Sequence, residues 1–437
     1  MALTTVTPGA PTPREPRFVG RLRRADRWLG ALACLLLTGV RRLVDRDDRS
    51  RPARPQRVAF LKLAEQGSTV LASPAIQHAI RRVGRENVFF VAFSENTEIL
   101  RVMDVIADDQ IVTFPGKPLG SALLGALGAL RRLRKLRVDT TIDLEFFARS
   151  SAAFAYLTGA RWRVGLHPAA REAGYRGDLM THRLSFNPYL HTVQTFQVMV
   201  QALESVPADL PALDLPPPPL GPLPVFTPRE GEQEAVQASL RALTGTSRPL
   251  RLILLNANAG DMLPLRRWPP DRYVALARRL LDRFPDAHVG FTGAPDESAA
   301  VTALVDAVGS DRCFSLAGRT TVRQLLVVFT LAEVLVTNDS GPAHFAAMTP
   351  VDVVTLFGPE TPALFGAPTP RNHPRTAGLA CSPCVNAYNG RYSACTNNIC
   401  MQKISVDEVF ETVAAIYERR RGQPADVTSR MVDLAPR

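Results

Sequence analysis

Residues Glu333–Met348 read EVLVTNDSGPAHFAAM. Val334, Leu335 and Val336 describe a buried strand. Asn338, Asp339, Ser340 and Gly341 then make a tight polar loop, and Pro342 suits the first turn of a helix. His344 falls within that first turn. Strand, short loop and helix form the repeating unit of a parallel α/β sheet. In open sheets of that class, ligands bind at the carboxyl ends of the strands, where this loop belongs. A helix N-terminus offers free N–H groups and a positive dipole end, so the loop suits a phosphate or diphosphate. The plainer alternative is a helix N-cap made by Asp339 or Ser340.

The same alternation runs outward in both directions. RVAFLKLA, from Arg57, reads as a buried strand, and STVLASPAIQHAIRRVG as the helix after it, bent or restarted at Ser73-Pro74. NVFFVAF and VDTTIDL are further strands, with the amphipathic GSALLGALGALRRLRKLR between them. In the second half LRLILLNANAG, HVGFTGAP and VDVVTLFGPETP read as strands with loops, and DRYVALARRLLDRF and TVRQLLVVFTLA as helices. SVDEVFETVAAIYERRR closes the pattern as a helix capped by Ser405 with Glu408. Between Pro207 and Pro228, PADLPALDLPPPPLGPLPVFTP resists both helix and sheet and reads as a stiff connector. The expected organisation is an N-terminal Rossmann-like domain over 55–206, a linker over 207–228 and a second domain over 229–404. A C-terminal helix (405–421) and a tail (422–437) follow.

The 437 residues allow two domains, and 46% hydrophobic with 21% charged residues is ordinary for a chain with a core. The net charge of +11 favours anionic partners. No basic run is interleaved with aromatics, so nucleic acid is not an expected partner. Residues 1–16 read as disordered and not as a cleavable signal, which implies a cytoplasmic, reducing location. Residues 17–54 hold an apolar run, Leu29–Val40, of about 12 residues, short of the roughly 20 needed to span a bilayer. Arg21, Arg23, Arg24 and Arg27 precede it, Arg41, Arg42 and Arg46 follow, and Trp28 sits at its edge. That bracket predicts a helix lying on an anionic membrane surface, on the inner face of the cytoplasmic membrane. The alternative is a helix packed on the protein's own body.

Asn338-Asp339-Ser340-Gly341-Pro342 with His344, followed by TLFGPETP, resembles the signature of glycosyltransferase family 9, the family of the ADP-heptose:lipopolysaccharide heptosyltransferases. NANAGDMLPLRRWPPDRYVALARRL, FTGAPDE and FSLAGRTTVRQLLVVFTLAE are similar to the family's donor-side blocks. The likeness runs from about Arg57 to Ile416. It implies a GT-B fold, two Rossmann-like domains facing across a cleft. It also implies inverting transfer of a sugar from a nucleotide-sugar, ADP-heptose first, to a lipid-linked glycan acceptor, with no cofactor required for transfer. Transfer from another nucleotide-sugar is the nearest alternative. By position, Asp339, Ser340, Gly341 and His344 fall on the family's phosphate- and sugar-contacting loop. Arg266 or Arg267, before Trp268-Pro269, falls where a basic residue approaches the diphosphate; Thr292 and Gly293 lie in a loop near the nucleotide.

One position departs from the family. Where an aspartate usually follows the glycine after the first strand, this chain has Gly67-Ser68. An unassisted hydroxyl is a poor proton acceptor at neutral pH. Glu65 is the nearest carboxylate and the expected base, with Asp143 and Glu145 as the other candidates on the acceptor side. The missing aspartate also leaves open a non-catalytic nucleotide- or glycan-binding protein. Finally, Cys381, Cys384, Cys395 and Cys400 have the spacing C-x2-C-x10-C-x4-C within 381–400. It resembles a structural zinc site loosely; paired or free thiols are the alternative.

Overall fold

The computed structural model describes residues 20, 23–45, 50–168, 174–246, 250–260 and 262–421. The expected segment 1–16, Arg21, Arg46 and the tail 422–437 lie outside the described residues. Two parallel sheets of six strands each are present. The first holds β1 (Val58–Leu61), β2 (Val88–Phe93), β3 (Ile111–Phe114), β4 (Thr140–Asp143), β5 (Trp162–Leu166) and β6 (His182–Leu184) in the order β3-β2-β1-β4-β5-β6. The second holds β7 (Arg251–Asn256), β8 (Ala287–Phe291), β9 (Cys313–Ser315), β10 (Ala332–Asn338), β11 (Asp352–Phe357) and β12 (Asn372–Thr376) in the order β12-β11-β10-β7-β8-β9. Read from β9, the second order repeats the first. The central strands are buried along their whole length because helices cover both faces.

Strand order reverses direction between β1 and β4 in one sheet, and between β7 and β10 in the other. Loops leaving adjacent strands at such a point diverge and open a crevice. The loops after β1 and β10 are brought together, because the helix Gln66–Leu71 packs on the helix Gly341–Ala346. This is the two-domain arrangement the family resemblance implies.

Other expectations hold locally. The helix after β1 breaks at Ala72 and restarts at Ser73–Val83 with Pro74 in its first turn. Between 207 and 228 there is no helix or strand, and the segment is tied down by Gln194 and Gln197, which donate to the Pro218 and Pro219 carbonyls at 2.8 and 2.7 Å. The last helix, Val406–Arg421, packs beside Pro270–Arg283, and Ser405 and Glu408 form the reciprocal cap. The helix Ala31–Val44 packs on the protein's own body. Cys34, Thr38 and Arg41 face the first domain, with Arg41 ion-paired to Asp178 at 2.7 Å. Its opposite, apolar face is exposed. No helix among the described residues is long and apolar enough to cross a membrane.

Candidate active site

The loop after β10 is held from below. Asn338 is fully buried; its Oδ1 accepts from the Trp268 N–H at 3.0 Å, and its Nδ2 donates to the Ala257 carbonyl at 3.1 Å. It therefore clamps the loops after β7 and β10 together and is a positioning residue, not a surface contact. Ser340 does not cap the helix: its hydroxyl bonds back to the Asn338 carbonyl at 3.2 Å. The helix that follows has six residues, so its dipole is small and cations must carry most of any diphosphate's charge. Arg266 is the arginine that stands beside this loop. Its Nη1 lies 3.5 Å from Glu360 and 3.9 Å from Asp339. Arg267 points elsewhere, donating to the Gly260 carbonyl at 3.1 Å. Thr292 is buried against Asn256, and a Cβ on Gly293 would meet Ala317 at 3.1 Å. Both pack within the domain.

Opposite, Glu65 closes β1's loop with a positive φ of 68°, uncommon for a residue with a Cβ. Two cations hold it there. Lys62, buried, donates to Glu65 at 3.2 Å and to Glu145 at 3.1 Å. Arg391, far along the chain, ion-pairs with the other Glu65 oxygen. Burial alone would raise the Glu65 pKa, but Arg391 and Lys62 override it and hold the carboxyl well below the usual range. Ser68 donates to Glu65 at 3.4 Å. Gly67 lies against the other domain: a Cβ there would stand 2.6 Å from the His344 ring and 3.2 Å from the Gly341 Cα.

Two acids expected on the acceptor side have other work. Asp143 is fully buried beneath the loop, bound to Arg176 at 2.5 Å and Ser151 at 2.9 Å, and burial pushes its pKa up to about 6. Glu145 accepts from the Leu63 N–H at 2.7 Å and from Lys62, so it braces the Glu65 loop.

The segment with the cysteines is a strap between the domains. Tyr388 stacks on Phe147 and meets Phe186 edge-on at centroid distances of 5.7 and 5.2 Å, and its hydroxyl donates to the Phe186 carbonyl. Arg391 follows, bridging Glu65 to Glu360 at 2.7 Å. The cysteines lie near one another, since Cys381, Cys384 and Cys395 each act on the Cys400 thiol. Cys384 is near Ser393 and Cys395 near the Asn397 carbonyl, while Cys400 is buried. Among the described residues no group of three or more His, Cys, Asp or Glu is arranged to hold a metal ion, so the zinc reading gains no ligand set.

Charge at the centre is therefore a chain: Lys62, Glu65, Arg391, Glu360, Arg266. Asp339 sits at its end. Burial and the Glu360 anion push the Asp339 pKa well above its ordinary value, while Arg391 and Arg266 hold Glu360 down against burial. Asp339 Oδ2 has no hydrogen-bond partner among the described residues, and Arg266 Nη1 stands 3.9 Å from it. Burial, His191 and Arg266 push the His344 imidazole down to about 4, so it is neutral at pH 7. Three buried polar atoms without partners gather here: Arg266 Nε, Asp339 Oδ2 and His344 Nδ1. Buried polar atoms are normally satisfied, and an unsatisfied group of them marks a place for a polar ligand. Lys62, Glu360 and Arg391 are the residues the sequence reading passed over. Lys62 carried a signal, a lysine inside an apolar strand; Glu360 lay in the quoted FGPETP; Arg391 had none.

A family model described as "Glycosyltransferase family 9 (heptosyltransferase)" matches residues 127–391. Lipopolysaccharide heptosyltransferase 2 of Salmonella typhimurium is 31% identical over 154 residues, covering 35% of this chain and 42% of that protein. Its Escherichia coli K12 namesake is 32% identical over 102 residues, covering 23% and 29%. The matched region thus spans less than half the length of these relatives. Among solved structures, E. coli ADP-heptose lps heptosyltransferase II superposes with a TM-score of 0.63 at 18% identity, covering 84% of this chain and all of that one. A family 9 glycosyl transferase from Veillonella parvula gives 0.62 at 17%, covering 85% and 100%. These two likenesses establish the GT-B-type fold.

Proposed function

The chain belongs to glycosyltransferase family 9, and from that premise we propose that it transfers a heptose from ADP-heptose to a lipopolysaccharide-type or other lipid-linked glycan, inverting the sugar at C1. The observation that carries this reading is the meeting of the two strand-end loops, which puts a carboxylate, two arginines and unsatisfied polar atoms in one cleft. The acceptor oxygen forms its bond to C1 as the C1–O bond to the diphosphate breaks. The proton passes to Glu65, and the electron pair leaves with ADP. Arg266 and Arg391 take the developing charge on the diphosphate. His344 Nδ1 and Asp339 are left for sugar or phosphate oxygens.

Glu65 is weakly basic while Arg391 and Lys62 hold it. A diphosphate arriving at Arg391 competes for that guanidinium and raises the proton affinity of Glu65 when a base is needed. The protein works as a peripheral enzyme on the inner face of the cytoplasmic membrane, through the exposed apolar face of Ala31–Val44.

The test is transfer by the full chain from a panel of nucleotide-sugars to a lipid-linked glycan, read as ADP release and product mass. ADP-heptose should add a heptose mass. Glu65→Gln should lower the rate by about 10²–10⁴, the range for removing a general base. Wild-type rates in Glu65→Gln would sink the base. A different preferred donor would sink the heptose assignment. Nucleotide binding with no turnover on any donor would identify a binding protein.

A further inference from the structure

We infer that a second helix, Leu119–Lys135, joins Ala31–Val44 in seating the first domain on an anionic lipid bilayer. This deepens, and rests on, the peripheral placement proposed above. The two helices lie on one face of the first sheet, on either side of the buried helix Arg149–Leu157. Cys34 from one, and Ala129, Leu130 and Leu133 from the other, enter a single apolar cluster with Phe154. The inward sides of both are thus already filled.

Each helix also turns an apolar row outward. On Ala31–Val44 the row is Leu32, Leu35, Leu36, Val40 and Leu43, with Leu43 88% exposed. The spacing is that of one helix face. On Leu119–Lys135 it is Leu119, Leu123, Leu124 and Leu127, with Leu124 73% exposed. Gly120 and Gly128 leave open space beside it. A water-exposed helix normally turns such a row to its core. Two outward rows on one face mark a surface that meets another apolar phase.

Charge identifies that phase. Leu119–Lys135 contains no acid and ends in Arg131, Arg132, Arg134 and Lys135. Between the ends of the two helices is a cavity of about 450 Å³, lined by Arg134, Arg161 and Arg163 and by Asp45, the one acid in its lining. Leucines edged by arginines match acyl chains beneath anionic headgroups. The helical segment leading into Ala31–Val44 reaches the strap: Arg23 donates to the Arg391 carbonyl at 3.3 Å. A docked domain would hold the cleft mouth close to a lipid-linked acceptor.

The experiment is co-sedimentation of the full chain with vesicles of phosphatidylcholine, alone or mixed with phosphatidylglycerol, with circular dichroism as the check on folding. Wild type should sediment with the mixed vesicles only. Leu123→Asp/Leu124→Asp and Leu35→Asp/Leu36→Asp should each lower the partition about tenfold, since binding scales with buried apolar area. Wild-type partition by folded Leu123→Asp/Leu124→Asp, with loss in the other pair, would overturn the second helix and leave the peripheral placement standing. No sedimentation of wild type would overturn both. Light scattering that shows a dimer dissolved by Leu123→Asp/Leu124→Asp, without vesicle binding, would assign the face to a second copy and overturn the inference. Heptosyl transfer is not read in any arm, so its failure is a separate result.

Discussion

The loops after β1 and β10 have the same build and opposite charge states. Each follows a central strand, places an acid two residues before a glycine and opens a six-residue helix. The two helices pack on each other, with Gly67 against Gly341. Yet Glu65 is held as an anion by Arg391 and Lys62, and Asp339 is held as an acid by burial and Glu360. The neighbours decide this, not the acids. Arg391 and Arg266 spend their charge on Glu360, so Asp339 meets an anion where Glu65 meets cations. Two loops with the same order of elements thereby place a carboxylate anion on one side of the cleft and a protonated carboxyl on the other.

The comparison breaks most readily at Arg391, which serves both sides. Arg391→Met leaves Glu65 and Glu360 facing one another without their shared guanidinium. Removing one partner of a buried ion pair costs about 3–5 kcal/mol. Urea unfolding should register that loss, and Arg391→Lys should recover part of it. A Met variant as stable as wild type would mean that the strap does not hold the domains.

The two glycines sharpen it. A methyl at Gly67 would press on the His344 ring and on the Gly341 backbone, across a domain boundary that can relieve it only by opening. Gly67→Ala should therefore cost about 1–3 kcal/mol, as overpacking does. At Gly341 the nearest atom to a Cβ is the tip of the Phe345 ring at 3.3 Å, a side chain able to give way. Gly341→Ala should cost less than about 1 kcal/mol. Equal losses in the two unfolding curves would show that the contact is no tighter on the first domain's side.

The same two loops mark how far the sequence could be read. The second was legible because its information is local: three strand residues, a polar tetrad and a proline in consecutive positions. The alternating elements gave three strands of the first sheet and four of the second, but not β3, β5, β6, β9 or β12, and 207–228 declared itself by proline. The first loop was half legible. Glu65 stood out as the nearest acid, but its state depends on Arg391, 326 positions away. Asp143 stood as a candidate base on the acceptor side, and only the fold reveals Arg176 and Ser151 enclosing it. The cysteine spacing suggested a metal, while Tyr388 and Arg391 between those cysteines do the bridging. Contacts between distant segments are set by topology, and no local pattern encodes them.

The smallest effect separates the two sides along the pH axis. His344, on the second domain, is pushed down to about 4 by burial, His191 and Arg266. The unfolded chain takes that proton first as the pH falls below the ordinary value of 6.5. Stability from His344 is thus complete above pH 6.5 and is lost as the pH falls toward 4. His191, also pushed down by burial, adds loss in the same direction. Glu65, on the first domain, acts lower. Its stabilisation is present above its ordinary value of 4.5 and is lost as the pH falls below it. His344→Gln should flatten the upper part of the acid limb by an amount on the order of 1 kcal/mol, and Glu65→Gln only the lower part. Urea midpoints taken from about pH 3 to pH 8 resolve the two ranges. An upper limb unchanged by His344→Gln would mean that its imidazole titrates freely, and that the contact with Gly67 does not exclude water.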